Sequence, residues 1–226
     1  MRFTKEWVAE MSAVVARFPQ GRVPMNSELA GKRFWEQRSK QAAVLIPLCN
    51  RHGVASVLFT IRSNLVGTHK GHVSFPGGHM DVGESAVEAA HRETIEELGP
   101  IGSLQTIGFC EMLPAKTMTP VYPIIGFIEQ DVGDFEHFEP SEGEVERVFT
   151  RSIEQLLDPR YVEYEDLQRF DKEPDYFTSY PIYGWSHEYK VEGSVAQQER
   201  IYGITAKMLE TILEHVIKPT IPTSCR

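Results

Sequence analysis

The chain has 226 residues, 41% of them hydrophobic, and a formal net charge of −9. That length and apolar content suffice for one substantial core. The acidic balance argues against general nucleic-acid binding, and no apolar run approaches the ~20 residues that span a bilayer. Cys49, Cys110 and Cys225 are odd in number and scattered, with no Cys-x-x-Cys. That spacing argues against a disulfide framework or a zinc site and for a reducing compartment.

Along the chain, Phe3, Trp7, Met11, Val14, Val15 and Phe18 fall near helical spacing, which predicts an amphipathic helix over Met1 to Phe18. Its basic residues are mixed with Glu6 and Glu10, unlike an acid-poor mitochondrial targeting segment, so a structural helix is expected and matrix import stays open. Gln20 to Lys40 reads as a polar connection containing Gly21, Pro24 and Gly31. Residues 1–40 are thus expected to pack on a domain formed by 41–226. Ala42–Leu48 and Ala55–Ile61 read as two strands around the turn Asn50-Arg51-His52-Gly53. A helix follows over Ala86 to Leu98. Gln105–Met112, Val121–Ile128 and Val145–Phe149 are further predicted strands, the last leading into a helix from about Ser152 to Leu157. Tyr176 to Val191 alternates and is rich in aromatics, as in a hairpin. Ile204, Met208, Leu209, Ile212, Leu213 and Val216 define a last helix. Strands interleaved with helices and hairpins predict an α/β fold with a mixed sheet between helices.

The helix over Ala86–Leu98 carries the chemistry. Ser85 with Glu88 is a capping-box pattern, Gly99 suits the residue after the helix, and Pro100 blocks its continuation. Wound at ~100° per residue, it gathers Val87, His91, Thr94, Ile95 and Leu98 on one side, the expected buried face. Glu88, Arg92 and Glu96 run along a flank. Ala86, Ala90, Glu93 and Glu97 share the remaining face, with Ala89 and Glu96 at its edge. Glu93 and Glu97 are like charges one turn apart, and Glu96 and Glu97 sit at the negative end of the helix dipole. Arg92 reads as relieving Glu96 and reaching little else. A divalent cation would remove both penalties, and an all-oxygen donor set favours Mg2+ or Mn2+ over zinc. From the helix alone, a solvated acidic end reads equally well.

The flanking residues add a pattern. Gly78, five residues, Glu84, seven residues, then Arg92-Glu93-Thr94-Ile95-Glu96-Glu97-Leu98-Gly99 resembles the Nudix box. Every fixed position is met. Thr94 and Pro100 stand where apolar residues are usual. The resemblance implies the Nudix fold, an α/β/α sandwich, and hydrolysis of a nucleoside diphosphate derivative with Mg2+ or Mn2+ as cofactor. By similarity, Glu93 and Glu97 are metal ligands, Glu96 a ligand or base, Gly78 a carbonyl donor, and Arg92 the holder of a glutamate. Glu84 either serves the metal site through water or orders the loop before the helix.

The run from Leu58 to Gly78 resembles the signature of the coenzyme A diphosphatase branch, through Thr60, Arg62, Ser63, Val66, His69, Gly71, Phe75 and Pro76. Phe59 and Val66 replace the common leucine, and His72 the common glutamine. Val121–Gly126, Glu144–Phe149 and Ile201–Ala206 extend the similarity, with the eukaryotic mitochondrial type most alike. It implies cleavage of coenzyme A or acyl-CoA to adenosine 3′,5′-bisphosphate and (acyl-)4′-phosphopantetheine. ADP-ribose or a dinucleotide is the alternative substrate, and a non-catalytic ligand-binding module a third reading.

Arg62, Ser63, His69 and Lys70 are the implied substrate contacts, for which basic side chains beside glycines are suited; an ordinary exposed loop is the plain alternative. Phe75, Pro76 and Gly99 are expected to be structural. Glu144 is the candidate for a further ligand or base, with Glu142 and Glu146 solvated. His79 and His91 are expected to be structural. The implied partner is a small nucleotide, with no nucleic acid or membrane, in a monomer or homodimer. The cytoplasm is the compartment expected by default, and Ser224-Cys225-Arg226 is not the peroxisomal Ser-Lys-Leu address.

Overall fold

The structure is a computed structural model, described here for residues 1–25, 40–63, 71–115, 119–165, 182–189 and 197–223. Helix α1 spans Lys5–Ala16, and Thr4 caps it by accepting from the Trp7 N–H. Strand β1 is Arg22–Val23, followed by β2 (Ala42–Arg51), β3 (Val54–Arg62), β4 (Val73–Ser74) and β5 (Gly77–His79). Helix α2 is Ala86–Leu98. Next come β6 (Leu104–Cys110), β7 (Leu113–Pro114), β8 (Pro120–Ile128), β9 (Val145–Ser152) and α3 (Ile153–Leu157). Strands β10 (Val162–Glu165), β11 (Ile182–Tyr189) and β12 (Gln197–Ile201) precede α4 (Gly203–Ile212), which runs through a π-helical turn at Leu213–Ile217 into α5 (Lys218–Thr220).

The main sheet has the order β1-β6-β8-β2-β3-β4, with β5 on β2, β7 on β8 and β9 on β3. It is mixed: β2 lies parallel to β8 and antiparallel to β3. Strand β2 explains the layering through its period of two. Ala43 and Leu45 join Ile124 under α2, while Ile46 and Leu48 face the larger core made with α1 and α4. Helices thus cover both faces of the sheet, the α/β/α sandwich expected. Helix α1 is part of that core: Phe3, Trp7, Met11 and Val15 are buried in it, and the Trp7 indole donates to Thr220 Oγ1 at 2.8 Å.

Three expectations need correction. The buried face of α2 is only partly the expected one: Thr94 and Leu98 are buried as expected, but Ala89, Ala90 and Glu97 are buried with them, whereas Ile95 is 53% exposed. Small alanines let the helix approach β2, and the glutamates of that face are carried in with them. Tyr176–Val191 is not a self-contained hairpin. Ile182–Tyr189 is the middle of a three-stranded antiparallel sheet between β10 and β12, and residues 176–181 and 190–191 lie outside the described ones. The segment after α1 is not only a connection, because Arg22–Val23 pairs parallel with β6 and buries Val23 and Met25.

Candidate active site

The site is built where β5 passes beneath α2. Strand β5 pairs with β2 so that Val44 faces Gly77 and Ala43 faces Gly78. A Cβ on Gly77 would stand 2.3 Å from the Ala43 carbonyl oxygen, at a φ of +149° that favours glycine. A Cβ on Gly78 would stand 2.3 Å from Glu93 Oε2. The two glycines therefore do different things: the first lets the strand touch β2, the second leaves room for a carboxylate against the backbone. Just before, Phe75 is buried and stacks on Phe59 with ring centroids 5.1 Å apart, and the Pro76 carbonyl accepts from the Leu45 N–H. Both fix the entry to the glycine pair.

The capping box forms as the sequence predicts. The Ser85 side chain accepts from the Glu88 N–H, and Glu88 accepts from the Ser85 N–H. At the far end, the Glu139 N–H donates to the Leu98 carbonyl and the Ser141 N–H to the Glu97 carbonyl. A Cβ on Gly99 would collide with Glu139, so that glycine admits the capping loop. The same loop continues to Glu144.

Arg92 reaches much further than expected. Its Nε and Nη2 donate to the two Glu84 oxygens at 2.8 and 3.0 Å. Nη1 donates to Glu93 at 2.9 Å and Glu96 at 3.2 Å, and Nη2 also donates to the His79 carbonyl at 3.0 Å. One guanidinium thus ties the loop before α2, the β5 backbone and two site glutamates together. This bidentate pair holds the Glu84 carboxyl down at about 2, helped by the Asp81 N–H. In this arrangement Glu84 orders the loop.

Glu97 is the buried member. Its side chain is 5% exposed, and its Oε2 accepts no hydrogen bond. Burial pushes its carboxyl up to about 8; Arg62 opposes the rise, the charge of Glu144 adds to it, the Gly77 N–H opposes it and Glu93 adds again. Burial also raises Glu93, against the pull of Arg92 and with the push of Glu96 and Glu144. Four carboxylates from two chain segments, Glu93, Glu96, Glu97 and Glu144, therefore share one field. Glu144 arrives through the β3–β9 pairing. Arg62 faces Val145 after a register shift, and the Ser63 N–H donates to the Glu144 carbonyl at 2.8 Å. Arg62 Nη1 stands 4.0 Å from Glu97 Oε1.

Of the proposed site residues, the structure brings together Gly78, Arg92, Glu93, Glu96, Glu97, Glu144 and Arg62. Glu96 sits at the exposed rim. Ser63 is buried and fixes Glu144 through its backbone. His69 and Lys70 lie outside the described residues. The His79 side chain is exposed, and His91 is half-buried with Nε2 3.3 Å from Thr106 Oγ1, so neither joins the cluster. Glu142 and Glu146 are exposed.

Among the described residues, no three His, Cys, Asp or Glu side chains already converge as a ligand cage. The fit for a cation lies elsewhere: an orphaned buried carboxylate oxygen on Glu97, a Glu93 carboxylate pressed against Gly78, and donors that are all oxygen. That chemistry suits a hard divalent ion.

Gly77 was not singled out by sequence reasoning, although the Pro76-Gly77-Gly78 run signals a close backbone approach. Nor was the pairing of Arg62 with Glu97.

A NUDIX domain model matches residues 39–183. The chain belongs to the Nudix family. It is 31% identical over 182 residues to mouse mitochondrial coenzyme A diphosphatase NUDT8, covering 78% of each chain. It is 34% identical to Nudix hydrolase 3 of Caenorhabditis elegans, over 76% of this chain and 71% of that one. A solved MutT/Nudix family protein from Enterococcus faecalis is 14% identical, with a TM-score of 0.48 over 96% of this chain and 76% of its own. The chain is a Nudix hydrolase, and the cluster at Gly78, Glu84 and Arg92–Gly99 is its Nudix box. No helix among the described residues is long and apolar enough to cross a membrane.

Proposed function

We propose that this Nudix hydrolase cleaves the diphosphate of coenzyme A or acyl-CoA, giving adenosine 3′,5′-bisphosphate and (acyl-)4′-phosphopantetheine. The observation that carries the substrate is the similarity to the mouse coenzyme A diphosphatase, joined to the Leu58–Gly78 signature in this chain. The mitochondrial name of that relative supports the matrix as compartment over the cytoplasm expected by default.

The reaction is proposed to be hydrolysis at phosphorus: a P–O bond to water forms, the bond to the bridging oxygen breaks, and the released phosphate carries the electron pair. Glu93 and Glu97, with the Gly78 carbonyl and Glu96 at the rim, would hold the divalent cation. When bound, the cation supplies neutralisation of charge on the diphosphate. Arg92 keeps Glu93 and Glu96 in place and does not need to touch substrate. Glu144, whose charge acts on both Glu93 and Glu97, would take the proton of the attacking water. Arg62, 4.0 Å from Glu97, would be the phosphate-binding cation; Ser63, His69 and Lys70 are the further contacts the signature implies.

Product identity tests the reading. Coenzyme A incubated with Mg2+ or Mn2+ should give the two named products by mass spectrometry, and EDTA should stop the reaction until metal is restored. Undiminished turnover in EDTA, or different products, contradicts it.

A further inference from the structure

Two arginines divide the carboxylates of the site. Arg92 hydrogen-bonds Glu84, Glu93 and Glu96 at 2.8–3.2 Å. Glu97 receives none of these. Among the described residues, the cation that faces it is Arg62, at 4.0 Å.

The Arg62–Glu97 pair has an unusual character. The carboxylate is 5% exposed and the guanidinium side chain 31%. The backbone of Arg62 is held: its N–H donates to His72 and its carbonyl accepts from Gly71. Its side chain is the part left to move. A separation of 4.0 Å lies at the limit of an ion pair and beyond a hydrogen bond, while Glu97 Oε2 accepts nothing. The attraction is therefore Coulombic, without the directional bonds that fix Arg92. Such a partner is easily exchanged for another positive charge.

We propose that Arg62 is the counter-ion of Glu97 in the cation-free site and yields that carboxylate to a divalent cation, which frees the guanidinium for the substrate diphosphate. This rests on the reading above that Glu93 and Glu97 hold the cation. A guanidinium beside a ligand carboxylate competes with the metal ion for it. By reciprocity, whatever Arg62 takes from cation affinity, the cation takes from the Arg62–Glu97 pair. Cation and diphosphate then assist each other's binding, because one occupies Glu97 and the other receives Arg62. A purely substrate-binding arginine would leave metal affinity untouched in the absence of substrate.

The test measures Mn2+ binding by electron paramagnetic resonance on the purified protein without substrate, at pH 8.5, where Glu97 is a carboxylate. The wild type should bind Mn2+. Arg62→Met, which keeps bulk and loses charge, should bind it about five- to tenfold more tightly while its KM for coenzyme A rises. Arg62→Lys keeps the charge and should stay within about twofold of the wild type. Arg62→Gln carries the same expectation as Arg62→Met and replaces it if that variant fails to fold by circular dichroism. Unchanged or weaker Mn2+ binding in the uncharged variants overturns the counter-ion role and leaves the cation site standing. Absence of Mn2+ binding by the wild type overturns both.

Discussion

Gly78 and Glu93 are in contact so close that no side chain fits between them: a Cβ on Gly78 would meet Glu93 Oε2 at 2.3 Å and its Cδ at 2.4 Å. The neighbour is the end of a flexible side chain, so a methyl there moves the carboxylate and spares the backbone. Gly78→Ala should fold normally and lose kcat by about a hundredfold, the scale of a misplaced catalytic group. Circular dichroism and steady-state kinetics on the same preparation check this. A fully active Gly78→Ala variant would show that the position of Glu93 is not critical.

Glu97 makes stability depend on pH. In the unfolded chain its carboxyl has the ordinary value of 4.5, and burial raises it to about 8 in the fold. Between those values the native state keeps a proton that the unfolded chain has lost. The raised pKa thus contributes stability fully present below about 4.5 and lost as pH rises through about 8. Metal-free protein should melt at a lower temperature at pH 8.5 than at pH 6, by an amount of order a few kcal/mol in stability. Glu97→Gln should flatten that dependence and abolish most activity. Mg2+ should recover more melting temperature at pH 8.5 than at pH 6. A wild-type melting temperature independent of pH over this range contradicts the burial of a chargeable Glu97.

How much of this was legible follows from the physics of each signal. Ser85, Glu88 and Gly99 act within one turn of the helix, so its ends could be read directly. Its buried face could not. Apolarity assigns Val87 and Ile95 to the core and Glu97 to the surface, yet the helix lies on Ala89 and Ala90 over Ala43, Leu45 and Ile124. Close approach to the sheet selected small residues, and the chemistry selected carboxylates beside them. Strand β5 is two glycines and a histidine with no strand propensity, and it exists because Gly77 can touch β2. The field shared by Arg62, Glu97 and Glu144 comes from β3–β9 pairing and from packing of α2, which no local window contains. Glu144 was found by resemblance alone.

Arg92 should act through orientation. Lysine keeps its charge but cannot reach both Glu84 oxygens, Glu93, Glu96 and the His79 carbonyl together. Arg92→Lys should lower kcat by between about ten- and a hundredfold with KM for coenzyme A nearly unchanged. A large rise in KM at normal kcat would make Arg92 a direct substrate contact.

The 3′-phosphate of coenzyme A gives a further test of Arg62. Dephospho-CoA lacks it, and losing a charge-assisted contact of about 1.5–3 kcal/mol corresponds to roughly a ten- to hundredfold fall in kcat/KM. Arg62 is assigned to the diphosphate, so Arg62→Ala should lower kcat/KM for both substrates by a similar factor. If Arg62→Ala lowers coenzyme A alone and so brings the two substrates together, Arg62 grips the 3′-phosphate and its diphosphate role fails.

The most direct measurement is kcat/KM of the wild-type protein, in saturating Mg2+ and again in Mn2+, for coenzyme A against ADP-ribose and diadenosine polyphosphates. Coenzyme A, or an acyl-CoA, is expected to be the best substrate under at least one metal. A higher kcat/KM for ADP-ribose or a dinucleotide under both metals would contradict the coenzyme A assignment and leave only a Nudix hydrolase of another nucleoside diphosphate.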